Sequence, residues 1–163
     1  MNSDKKEKKQ SEMEKVFEDK IKTQMRKAYW DLVIEELKNN KSELFIKIII
    51  EIKEKLIHIV GKNKDLKNEF REYLDEDFIA NKINGGIFDF YELGKILNYI
   101  TENIKNFQAP IHDKEVNDFN EKMMEKVNEE YFYEYIPECI DFTMKSLDRL
   151  IKEVDYYREK FNL

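Results

Sequence analysis

Residues 42–60 read SELFIKIIIEIKEKLIHIV, and this stretch decides the fold. Phe45, Ile48, Ile49, Ile52, Leu56, Ile59 and Val60 recur at i, i+3, i+4 and i+7, the spacing of one face of an α-helix. Ile46, Ile50 and Ile57 widen that stripe to roughly 200° at 100° per residue. A helix so apolar must be covered on more than one side, so the stretch predicts the central helix of a bundle. Ser42 is placed to cap its start and Gly61 to end it. Glu51, Glu54 and His58 share the face turned away from the stripe, where water or a polar neighbour meets them.

The same period runs outward in both directions. Upstream, Met13, Val16, Phe17, Ile21, Met25, Ala28, Tyr29 and Leu32 predict a long helix to about Lys38, broken at Asn39-Asn40. Before it, residues 1–10 form a loose polar tail in which Lys5, Lys6, Lys8 and Lys9 are interrupted by Glu7; residues 11–163 form a single helical domain. Downstream, Leu66, Phe70 and Tyr73 mark a short helix, and Phe78 with Ile79 a further piece that stops at Asn84-Gly85-Gly86. Neither flank of Asn84-Gly85 alternates with period two, which sets a hairpin aside. Leu93, Ile96, Leu97, Ile100, Ile104 and Phe107 give a helix over about 88–107. Ala109-Pro110 makes the next corner, since proline restricts the residue before it and opens helices well. Val116, Phe119, Met123 and Val127 then lead to the aromatic run Tyr131-Phe132-Tyr133, read chiefly as core packing. Pro137 marks a break or kink before a last helix carrying Ile140, Met144, Leu147, Ile151, Val154 and Phe161. The fold class is all-α, a bundle of six to seven helices around the one at 42–60.

Composition agrees. The 163 residues include only 4 Gly and 2 Pro, with 39% charged and 41% hydrophobic residues, a balance that favours long helices. A net charge of -6 lacks the basic excess that a nucleic-acid binder usually shows. No apolar run approaches the ~20 residues of a membrane span. One cysteine, Cys139, makes no internal disulfide, and a reducing, cytoplasmic setting is expected. The richness in Lys, Asn and Ile fits an AT-rich genome, as in a protist or a large virus.

Catalytic motifs are sought without success. A di-iron bundle needs paired Glu-x-x-His motifs, and Glu51, Glu54 and His58 supply one histidine. Cys139 lies beside Glu138 and Asp141, which raise a thiol pKa, so it reads as a packing residue. His112 with Asp113 has no nucleophile nearby in sequence. Asn84-Gly85-Gly86 lacks the Lys-Ser/Thr of a phosphate loop. No catalytic, cofactor-binding or metal-binding residue is assigned, and a non-enzymatic protein is expected.

Three separated segments resemble a known family. They are Ala28-Tyr29-Trp30-Asp31 with the Ile-rich run Ile48–Leu56; Gly86-Ile87-Phe88-Asp89-Phe90 running into Ala109-Pro110-Ile111-His112-Asp113; and Asp155-Tyr156-Tyr157-Arg158-Glu159-Lys160-Phe161. In this order they resemble the T-complex protein 11 (Tcp11) family over most of residues 25–163. The corner is the most telling; the family writes it Cys-Ala-Pro-x-Arg-Asp, and here Gln108 stands for the Cys and His112 for the Arg. The chain is shorter than typical members and corresponds to their N-terminal part. The resemblance implies an all-helical, non-enzymatic protein. It also implies a regulatory role in cAMP and protein kinase A signalling, with which animal members are associated alongside sperm function. Trp30, Asp31, Ala109, Pro110, His112, Asp113, Tyr157, Arg158 and Phe161 are its signature positions, for structure or for partner binding. The expected function is a protein–protein interaction or regulatory module without a cofactor; the partner is another protein or a second copy, not nucleic acid. The alternative is a structural helical protein that associates with itself through residues 131–135.

Overall fold

Seven α-helices run through residues 2–128, 130 and 132–163, the part of the chain that the computed structural model describes. They are α1 (Asn2–Lys38), α2 (Glu43–Val60), α3 (Lys64–Tyr73), α4 (Glu76–Asn84), α5 (Phe90–Phe107), α6 (Asp113–Lys126) and α7 (Phe132–Lys160). A 3-10 turn, Pro110–His112, joins α5 to α6, and no strand occurs among the described residues. The Ile-rich helix α2 sits in the middle, packed by α1, α3, α4 and α7. Ile49, Ile52 and Leu56 lose all contact with solvent, each such burial being worth roughly 1.5–3 kcal/mol. Phe70 and Leu74 from α3 and its end, Ile100 and Ile104 from α5, and Ile136, Ile140 and Leu147 from α7 complete the core. The all-α reading and the central place of 42–60 both hold.

Short polar side chains set the helix starts. Asn63 Oδ1 accepts from the Leu66 N–H at 3.1 Å, Asp75 Oδ1 from Phe78 at 2.8 Å, and Asp89 Oδ1 from Glu92 at 3.0 Å. Each satisfies one of the unpaired N–H groups of a first turn. Ser42, expected to do the same for α2, makes no such bond. Glu36 takes its place, its Oε1 accepting from the Leu44 N–H at 3.2 Å across the α1–α2 turn.

Residues 2–10 and Pro137 depart from the sequence reading. Residues 2–10, read as a loose tail, are the first turns of α1, for they are rich in good helix formers and hold no breaker. The apolar stripe of α1 is not core: residues 2–29 are exposed, and only Val33 and Leu37 of this helix are buried. Pro137 does not break the last helix, which runs through it from Phe132 to Lys160. It lies close to the start of α7 and removes one backbone bond, the donor to Tyr133, while Ile136 and Ile140 on either side remain anchored in the core. Tyr73 and Phe78, on the two short helices, are exposed; Tyr73 stacks on Tyr99 with ring centroids 3.7 Å apart.

Candidate functional site

The corner between α5 and α6 is built as a brace. Gln108 leaves α5 with extended backbone, and Pro110 starts the 3-10 turn that Asp113 carries into α6. The buried Gln108 donates through Nε2 to Asp113 Oδ1 at 2.8 Å. Arg149 of α7 donates to Glu115 Oε2 at 2.7 Å and to Gln108 Oε1 at 3.4 Å. His112 Nε2 lies 3.1 Å from Glu153 Oε1, also on α7. These side chains fasten the corner to the last helix and leave their polar atoms satisfied. Ala109 and Pro110 are exposed.

The other signature positions do not join it. Trp30 packs half-buried against the core, edge-on to Tyr29, while Asp31 is exposed. Arg158 clamps the end of α2, donating to the carbonyls of His58 at 2.8 Å and Ile59 at 2.7 Å. A cation at the carbonyl end of a helix also opposes the helix dipole. Beside it His58 Nε2 lies 2.7 Å from Asp155 Oδ1. Tyr157 and Phe161 are exposed and stack on each other. The structure thus places the signature positions at separate joints rather than in one pocket.

The concave feature lies elsewhere, in a groove between α5, α6 and α7 of about 570 Å³. Its size is that of a binding pocket. From α5 it is lined by Phe90, Leu93, Gly94, Leu97, Asn98 and Thr101; from α6 and its end by Phe119, Asn120, Met123, Met124 and Val127; from α7 by Phe132, Tyr135, Ile136, Cys139 and Thr143. In a chain with 39% charged residues, no Lys, Arg, Asp, Glu or His lines it among the described residues. The hydroxyls of Thr101 and Thr143 donate to the carbonyls of Asn98 and Cys139 in their own helices, at 3.1 and 2.8 Å. These two therefore demand nothing from an occupant.

Few residues of α6 reach the core. Val116 and Met123 are its buried residues, and Phe119 stacks face to face on Phe142 at 3.9 Å. Opposite, α5 carries Gly94, where a Cβ would meet nothing within 4 Å. A mid-helix glycine costs about 1 kcal/mol relative to alanine, and here it keeps the floor open. Cys139 faces this space with its thiol pushed up to about 11, first by burial and then by the Glu138 carboxylate. It is therefore protonated at neutral pH and a poor nucleophile.

The aromatic run divides between core and groove. Phe132 is buried, Tyr133 stacks on it at 4.0 Å with Lys38 over its ring, and Tyr135 lines the groove. Tyr131 lies outside the described residues. Sequence reasoning missed the groove; the isolated Gly94 in an apolar helical pattern was the signal that points to it. Among the described residues no three His, Cys, Asp or Glu side chains gather to hold a metal, and no helix is long and apolar enough to cross a membrane.

Comparison with known families gives one match: the sequence model described as T-complex protein 11 covers residues 2–155. No curated protein and no solved structure matches the chain.

Proposed function

Since the chain belongs to the T-complex protein 11 family, we propose that it is a non-enzymatic helical interaction module whose receiving face is the α5–α6–α7 groove. The observation that carries this reading is the uncharged lining of the groove. Burying an ion without a partner is costly, so such a surface selects the apolar face of an amphipathic helix. The polar atoms of the signature corner are engaged within the fold, which supports a bracing duty for His112 and Asp113 rather than catalysis. The association of animal members with cAMP and protein kinase A signalling supplies the regulatory context.

Affinity capture from the native cell, run in parallel with Gly94→Leu, tests the module. A Cβ at 94 meets nothing within 4 Å, so a leucine there extends into the space of the groove. A stoichiometric protein partner retained by the parent chain and lost by the variant is expected; no such partner, or one held equally by both, refutes the reading. Unchanged protein kinase A activity at every cAMP concentration on adding the pure chain removes the signalling link.

A further inference from the structure

Among the described residues, two of the apolar surfaces left open to solvent match each other. The first is the groove. The second is the N-terminal part of α1, whose residues 2–29 form a helical arm exposed to solvent. Phe17, Ile21 and Met25 lie on one stripe of the arm, 65%, 39% and 67% exposed. We propose that the arm of a second copy of this chain occupies the groove, the two copies exchanging arms about a two-fold axis. This rests on the reading of the groove as a receiving face and names its occupant.

Length and charge both fit. The three anchors are spaced four apart and span about 12 Å at 1.5 Å per residue. The groove runs from Phe90 to Thr101 on α5, about 16 Å by the same rise, enough for all three. Residues 2–29 carry nine Lys or Arg against six Asp or Glu, a net +3, whereas the rest of the chain carries 20 against 29, a net -9. The contrast sharpens at the contact. Residues 17–27, which carry the anchors, hold Lys20, Lys22, Arg26 and Lys27 against Glu18 and Asp19, a net +2, while residues 132–143 of α7 hold Glu134, Glu138 and Asp141 and no cation. Glu138 is engaged by Lys122 at 3.1 Å, leaving the local balance acidic. Opposite fields on facing surfaces steer association and fix its register.

The arm reaches another copy rather than its own. Residues 2–38 contain neither Gly nor Pro and form one uninterrupted helix. Folding back within one chain would require breaking that helix at a point where nothing favours a break. Exchange between two copies keeps α1 straight, and gives a closed, isologous contact in which each copy both gives and receives an arm.

Light scattering on the full chain between micromolar and near-millimolar concentration, with and without added salt, tests the proposal. Phe17→Ala/Met25→Ala changes exposed residues only and suits a helix; Gly94→Leu fills the groove. The expected result is a dimer that weakens as salt rises, with either variant weakening it by about tenfold or more, as loss of central anchors does. A parent chain that stays monomeric throughout, or a dimer indifferent to Gly94→Leu or to the arm variant, overturns the proposal. Capture of another protein by the parent chain and not by Gly94→Leu, with no dimer at any concentration, overturns the exchange of arms alone and leaves the receiving face standing.

Discussion

Replacing Arg158 by alanine should destabilise the fold without touching the groove. Its guanidinium bridges two carbonyls of the last turn of α2, those of His58 and Ile59, from a position 100 residues further along the chain. Hydrogen bonds to a charged group contribute roughly 1.5–3 kcal/mol each, and a cation at the helix end about 0.3–1 kcal/mol more. The His58 bond is exposed and the Ile59 bond partly so, and water replaces part of what is lost, so Arg158→Ala should cost about 1.5–3 kcal/mol. For a chain of this size the melting temperature then falls by about 3–12 °C. Gly61 allows a sharper test. It turns the chain at φ 60°, a conformation that favours glycine, and a Cβ there would lie 2.5 Å from the Arg158 Nη2 atom. Gly61→Ala therefore pushes the guanidinium off its place on the two carbonyls and adds backbone strain of about 1–3 kcal/mol. With Arg158 already removed, only the strain remains, so the two substitutions together should cost less than their sum by about 1.5–3 kcal/mol. Urea unfolding followed by circular dichroism measures all four corners of this cycle. Strict additivity, or an Arg158→Ala variant within about 0.5 kcal/mol of the parent, would refute the clamp and return Arg158 to partner binding.

Other substitutions probe separate parts of the account. Ile52→Ala, at a fully buried position on the central helix, should cost about 2–5 kcal/mol in the same assay, and a loss under about 1 kcal/mol would move the centre of the core elsewhere. Arg149→Ala should cost about 1–2 kcal/mol by freeing the corner from α7, seen as faster hydrogen exchange at 108–115; unchanged protection there would show that the brace does not hold it. Cys139 in the folded chain should resist alkylation at pH 7–8, its rate rising with a midpoint near 11. Because the folded thiol holds its proton more tightly than the unfolded one, this group's stabilisation is complete below about pH 9 and is lost as pH rises toward about 11. A reactivity midpoint at or below that of an ordinary thiol would contradict its burial in the groove.

Much of the fold was legible because helix packing has a one-dimensional signature. The stripe in 42–60 announced a helix covered on several sides, and the Ala109-Pro110 corner stood where a proline must turn the chain. Periodicity reports that a face is apolar, not what covers it. Met13, Phe17 and Met25 therefore predict the helix correctly, although they lie on an exposed arm. The groove was illegible for the complementary reason. Leu93 and Ile136 line it while buried, so their pattern is that of ordinary core, and the space between them depends on how far α6 stands off from α5 and α7. Signature residues were located by resemblance, but their duties came from tertiary geometry: Gln108 and Arg149, which hold the corner, were not among them. Ser42 does not cap because its backbone lies in the helical region rather than the extended one a cap adopts, and Glu36 of the preceding helix takes the Leu44 N–H group instead.

The central claim is that the α5–α6–α7 groove receives an apolar helix, and Met124 on its rim, 82% exposed, offers the direct test. A photo-crosslinking residue at position 124 should, on irradiation in the native cell, form a discrete adduct that maps to the apolar stripe of a helix. It should vanish when Gly94→Leu fills the floor. No adduct beyond that formed at exposed Lys62, or one that survives Gly94→Leu unchanged, would contradict the claim.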